Sequence, residues 1–218
     1  YLWDITPDKF GISQNLVRAA SDYGSQIEYW HGVDVNIVMR SRNGLSLQGG
    51  TSTGRRVEDD CEVIVDNPSR RNCRVTEPFN TQVKALGSYI VPKIDVQLSA
   101  TFQSRPGESL SANWNVPSAI VAQTLGRPLS GNSANVSIDV LDPWQRKHDR
   151  INQLDFRVQK IFRTGRFRTN VGLDLYNAFN AAAVLDRQDN FNPSTSAWLT
   201  PTSVLAARFL KISGQIEF

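Results

Sequence analysis

Long apolar runs are missing from this 218-residue chain; the longest, Ala181 to Leu185, has five residues. A membrane-crossing helix needs about 20, so helical spans are excluded. A membrane β-strand needs only about ten residues of alternating polarity, so a barrel is not. Cysteine and histidine are scarce, two of each. His31 and His148 lie far apart, and with Cys61 and Cys73 they make no zinc set. An excess of one charge is also lacking. The 24 basic residues face 21 acidic ones and leave a net charge of +3, which excludes a disordered polyelectrolyte or a polybasic nucleic-acid arm. The pI of about 9.0 rests on 18 arginines against 6 lysines. These are scattered singly or in pairs, which argues against any nucleic-acid partner. An initiator Met and a signal peptide are absent as well, so the chain, opening on Tyr1, is expected to be a piece of something longer.

What is present is period-two alternation, and it recurs. From Ile94 to Gln103 every even position is apolar and every odd one polar, the pattern of a strand with one greasy and one wet face. Similar alternation covers Val33 to Arg40, Leu45 to Thr53, Gln82 to Tyr89, Leu154 to Gln159, Asn170 to Tyr176 and Leu210 to Phe218. About seven amphipathic strands are predicted, the first starting near Ile27. Their connections alternate in length. Ser41-Arg42-Asn43, Pro92-Lys93 and Arg163 to Arg166 are tight, whereas Arg55 to Asn80, Ser104 to Asp149 and Asn180 to Pro201 are long. Asn135 to Leu141 looks strand-like but is assigned to the second long excursion. Phe10 to Ala20 is expected to form a short helix.

The wet faces carry Asp34, Arg40, Lys84, Asp95, Asp155, Arg157, Arg168, Asp174, Lys211 and Glu217. Burying that many charges in a soluble core is costly. Two architectures satisfy the pattern: a sandwich sheet with its charged face in solvent, or a barrel with charges toward a hydrated lumen and apolar side chains toward lipid. Short turns at one end and long loops at the other are the habit of an outer-membrane barrel. So is an amphipathic last strand closing on Phe: Leu210, Ile212, Ile216 and Phe218 are assigned as a C-terminal assembly signal. Tyr29, Trp30, Tyr89, Phe102, Phe162, Phe167, Phe179 and Phe218 fall near strand ends, where barrels place aromatic girdles. Cys61 and Cys73 share one polar stretch and are predicted to form a disulfide around Asn67-Pro68-Ser69, in an oxidising compartment.

Several stretches carry a family resemblance over nearly the whole chain. They are Tyr29 to Asp34, Asn43 to Arg55, Leu125 to Leu129, Arg150 to Arg157 and, most specifically, Asp174-Leu175-Tyr176-Asn177-Ala178-Phe179-Asn180. The chain resembles the C-terminal part of TonB-dependent-receptor-like outer-membrane proteins, the type with an N-terminal carboxypeptidase-regulatory-like domain. The resemblance implies an all-β, antiparallel transmembrane barrel of about 22 strands, of which this chain supplies about seven. Residues 1–26, 55–80, 104–149 and 180–203 would then be extracellular loops. It implies ligand uptake across the bacterial outer membrane, without a cofactor and without enzyme activity. Implied partners are outer-membrane lipid, the rest of the barrel and its plug, an inner-membrane energy-coupling protein reached through that plug, the barrel assembly machinery, and other chains of a larger assembly. Seven crossings is odd, so this piece should not close alone.

Two other functions stay open. One is a surface barrel whose loops bind a partner protein. The other is a secreted serine hydrolase, because Gly50-Thr51-Ser52-Thr53-Gly54 matches the nucleophile-elbow pattern, which requires a strand, a sharp turn and a helix. Asp59, Asp60 and Glu62 read as a solvated acidic loop, with calcium as the alternative. Arg146, Lys147, His148 and Arg150 read as a solvated loop base, with lipopolysaccharide phosphate as the alternative.

Overall fold

The computed structural model describes residues 2–64, 66 and 69–218. Its frame is a meander of seven long strands, each antiparallel to its neighbours: β1 (Ile27–Arg40), β2 (Leu45–Asp59), β4 (Asn80–Val91), β5 (Val96–Arg105), β8 (Ile151–Thr164), β9 (Phe167–Tyr176) and β12 (Phe209–Glu217). A short β3 (Arg74–Thr76) adds to the far end of β2. Two small hairpins stand outside this sheet, β6 (Asn113–Pro117) with β7 (Asn135–Asp139), and β10 (Val184–Arg187) with β11 (Pro201–Val204). The strand-like stretch from Asn135 thus pairs with β6 and not with the main sheet. The described residues are all-β apart from one α-helix, α1 (Ser118–Leu125), and single 3-10 turns.

Alternation becomes two faces because the register is unbroken. Leu98 opposes Val158, Val158 opposes Leu173, and Leu173 opposes Ile212. Opposed residues share a face, so the apolar positions of successive strands join into one continuous surface. Asp34 opposes Ser52, Lys84 opposes Gln103, Arg157 opposes Asp174, and Asp174 opposes Lys211 on the other side. Among the described residues no layer covers the apolar face. Val158, Leu173 and Ile212 remain 48%, 46% and 80% exposed.

Three boundaries differ from the sequence reading. β5 begins at Val96 and not at Ile94, because Lys93 (φ 72°) and Asp95 (φ 47°) adopt the left-handed turn conformation. Asp95 is therefore a turn residue, 3.2 Å from Arg163 Nη1, and not a face residue of the strand. β12 ends at Glu217, leaving Phe218 one residue beyond it. Phe10 to Ala20 forms no α-helix; only Pro7–Lys9 and Ala20–Asp22 make 3-10 turns. Ser and Asn, here Ser13 and Asn15, are poor helix formers, and Ile12, Leu16 and Val17 stay exposed, so no packing offsets that.

All three short connections lie at one end of the sheet, and residues 60–79, 106–150 and 177–208 lie at the other. β1 and β12 are the two edges. With an odd number of strands both run the same way, so joining them would take a parallel pair, and none forms among the described residues. Cys61 and Cys73 are disulfide-bonded, Cα atoms 4.8 Å apart; Asn67 and Pro68 within that loop lie outside the described residues.

The apolar core sits among the long loops, not under the sheet. Val116, Val121 and Leu129 pack with Leu2, Trp114, Val136 and Ile138. Burying each large side chain contributes about 1.5–3 kcal/mol. α1 ends there because Gly126 (φ 77°) accepts the left-handed cap, its N–H bonding Ala122 O.

Trp30 lies across the paired Gly32 and Gly54, whose missing side chains make room for the indole. Gly54→Val should therefore lower stability by about 1–3 kcal/mol through overpacking. Gly214→Val, with open space around the site, should be neutral or stabilising. Denaturant unfolding of the full-length protein, followed by tryptophan emission, checks the contrast.

Candidate functional site

The polar face is built outward from one ion pair. Arg157 Nε donates to Asp174 Oδ1, and Arg157 Nη2 donates to Oδ2 at 3.1 Å. This forked geometry is the strong form of the guanidinium–carboxylate contact. Ser213 Oγ donates to the same Oδ2 at 3.4 Å, so three strands meet at one carboxylate. Gly172 makes this possible: a Cβ there would come within 2.8 Å of Ser213 Oγ. The Asp174 side chain is 5% exposed and Arg157 43%. Lys211 opposes Asp174 across β9 and β12. Arg168 and Glu217, 3.7 Å apart and each nearly half exposed, contribute little.

Further along the face, Asp155 accepts from Gln153 Nε2 at 3.0 Å and from the Asn177 N–H at 2.8 Å. Asp34, Arg40 and Lys84 oppose Ser52, Ser46 and Gln103. The candidate charges other than Asp95 thus stand on strands of one sheet, and the register puts them on a common face.

The loop end is organised by residues whose roles the sequence did not disclose. Asn177 and Asn180 both take positive φ (49° and 51°), a conformation asparagine tolerates better than most residues. Asn177 Nδ2 donates to Ala181 O at 2.9 Å and to Ala206 O at 2.8 Å, while its Oδ1 accepts the Ala181 N–H at 2.9 Å. Asn180 Oδ1 accepts the Arg208 N–H at 2.9 Å. The Tyr-Asn-Ala-Phe-Asn stretch is thus the clasp that brings both ends of the 177–208 loop together.

The loops also hold one another. Asn113 N–H donates to Asp189 O at 2.8 Å, and Trp198 Nε1 donates to Ser111 O at 3.1 Å. Arg71 and Asp142 pair at 2.7 Å. The N-terminal segment straps two loops. Arg127 Nη1 meets Asp4 Oδ2 at 2.6 Å, and Ser25 N–H donates to Glu62 Oε2 at 2.7 Å. Partial burial pushes the Asp4 carboxyl up. The Arg127 and Ser130 hydrogen bonds outweigh that and hold it below the ordinary carboxylate range.

Ser52 lies inside the unbroken β2, opposite Asp34 and Gln82, with no sharp turn and no helix after it. The local geometry of a nucleophile elbow is absent there. No metal-ligating group of three is found among the described residues. No known family model matches the chain, and no curated protein or solved structure matches it significantly.

Removing the Asp174 carboxylate leaves a guanidinium and a hydroxyl without their acceptor. Asp174→Ala is expected to destabilise the sheet by about 1–3 kcal/mol, and Arg168→Ala by less than about 0.5 kcal/mol. Denaturant titration of both variants checks the order.

A carboxyl depressed in the docked state stabilises docking above its free pKa, and the effect fades as pH falls through the docked value. A spin label at position 12 should thus be held at pH 7 and become mobile only as pH falls below the free carboxylate value of about 3.9. In Asp4→Asn it should be mobile at both.

Proposed function

We propose that this chain is a section of a TonB-dependent-receptor-like barrel that takes up a ligand across the bacterial outer membrane, with its long loops outside. The observation that carries this reading is the uncovered apolar face: a surface from Leu98 through Val158 and Leu173 to Ile212, in one register. In water, a patch of that extent marks an interface or an aggregation hazard. Against lipid it needs no cover. The opposite face, with its paired charges, suits a hydrated lumen. Strand lengths agree, since the seven long strands have 9 to 15 residues and a crossing takes about 9–11.

The two free edges fit a barrel whose other strands come from elsewhere, since unpaired backbone in lipid costs several kcal/mol per group. The remaining strands, the plug, the assembly machinery and the inner-membrane energy-coupling protein are the partners this reading requires. The clasped and cross-braced loops also suit the second reading, a surface barrel that grips another protein and transports nothing.

Two measurements on the full-length protein test this. Leu98→Arg should reduce insertion, by about 2–4 kcal/mol near the bilayer midplane, whereas Ser99→Arg on the other face should insert normally. Equal insertion of both, or a wild-type protein that stays in the soluble fraction, overturns the membrane reading. The inserted protein should also bind the periplasmic domain of the energy-coupling protein. Insertion without that binding overturns transport and leaves the surface barrel.

A further inference from the structure

Resting on the membrane reading, we propose that the outer rim of the apolar face binds a phosphate group of an outer-leaflet lipid, between Arg55 and Arg150. Going toward the loop end, three neighbouring strands change character on that face within two residues of the same height. Val83 gives way to Thr81 on β4, Phe102 to Ser104 on β5, and Leu154 to Asn152 on β8; register pairs Phe102 with Leu154 and Ser104 with Asn152, and sets Ser104 opposite Val83, one alternation step before Thr81. From Val91 to Thr81 the chain rises about 33 Å. At a tilt of 35–45° that is about 25 Å of bilayer, the height of the apolar band of such barrels. Thr81 and Ser104 therefore fall where lipid headgroups begin.

Two arginines reach this line. Arg150 Nη1 donates to Ser104 Oγ at 3.1 Å and Nη2 to Thr81 O at 2.9 Å. Arg55 stands two residues, about 7 Å, beyond Thr53, whose hydroxyl donates to Thr81 Oγ1 at 3.0 Å. Its guanidinium lies 5.3 Å from the centre of the Phe79 ring, and its Nε is buried without a hydrogen-bond partner. Neither arginine has a carboxylate within 4.0 Å among the described residues. Other arginines of the loop end do: Arg56 with Glu28, Arg71 with Asp142, Arg127 with Asp4 and Arg187 with Asp149. Asp149, the acid next to Arg150 in sequence, is thus already paired with Arg187.

A cation at the edge of a low-dielectric slab, bonded only to neutral groups, is costly without an anion. Guanidinium forks match phosphate oxygens in pairs. The membrane headgroup layer supplies that anion at this height and on this face. The opposite face carries its own carboxylates and needs no such ligand.

The test uses full-length protein in neutral detergent micelles, titrated with three probes: lipopolysaccharide, its enzymatically dephosphorylated form, and inorganic phosphate. Lipopolysaccharide should bind at least tenfold more tightly than the dephosphorylated lipid. The double variant Arg55→Gln/Arg150→Gln should lose the same factor, while Arg163→Gln at the opposite end should not. Equal binding of the two lipids overturns the proposal, with no need for a variant. So does inorganic phosphate binding as tightly as the lipid, which would mark a free-phosphate site. Cell fractionation separates the two failures. A protein absent from the outer membrane refutes the membrane reading, whereas one that is inserted but blind to lipid phosphate refutes this site alone.

Discussion

Everything else in this molecule depends on one uninterrupted antiparallel register across seven strands. Side chains in a strand alternate with a period of two, so a slip of one residue would move every side chain of that strand to the other face. No slip occurs between β1 and β12. A single apolar surface and a single charged surface follow from that. Small residues keep the strands close: Gly49 lies so near Ala85 and the Lys84 carbonyl that a side chain there would force them apart.

The usual order of a soluble protein is inverted. The described residues form one apolar core cluster, and it lies in the loops around Val116, Val121 and Leu129, while the main sheet buries only isolated apolar side chains such as Val57, Ile151 and Ile161. Long loops lose much conformational entropy on ordering. Here that loss is offset by a disulfide, a small core and specific polar braces. Asn177 alone makes three side-chain hydrogen bonds at the root of one loop while 2% exposed. The result is a stiff cap on a sheet whose two edges remain open.

Charge is divided in the same way. On one face, cations meet anions carried by neighbouring strands, with Asp174 at the centre. At the loop end some arginines are tied to acids from distant segments, Arg71 to Asp142, Arg127 to Asp4 and Arg187 to Asp149. Arg55 and Arg150 escape this pairing, and both stand on the side where the apolar surface ends. Their position, more than their number, makes that rim chemically distinct.

Strands, faces and the short-turn end were legible in the linear pattern because alternation and turn residues are local properties. The pairing of Cys61 with Cys73 was legible for the same reason, as the two are close in sequence. The start of β5 is not legible at Ile94 and Asp95, since alternation runs through a turn without notice when its residues happen to fit. The N-terminal segment is not legible either, because its contacts are with Arg127 and Glu62, far along the chain. The clasp at Asn177 needs Ala206, and the Asp174 cluster needs Ser213 from a third strand. Such contacts depend on which distant residues the register and the loops bring within 3 Å or so of one another, and no local period encodes that.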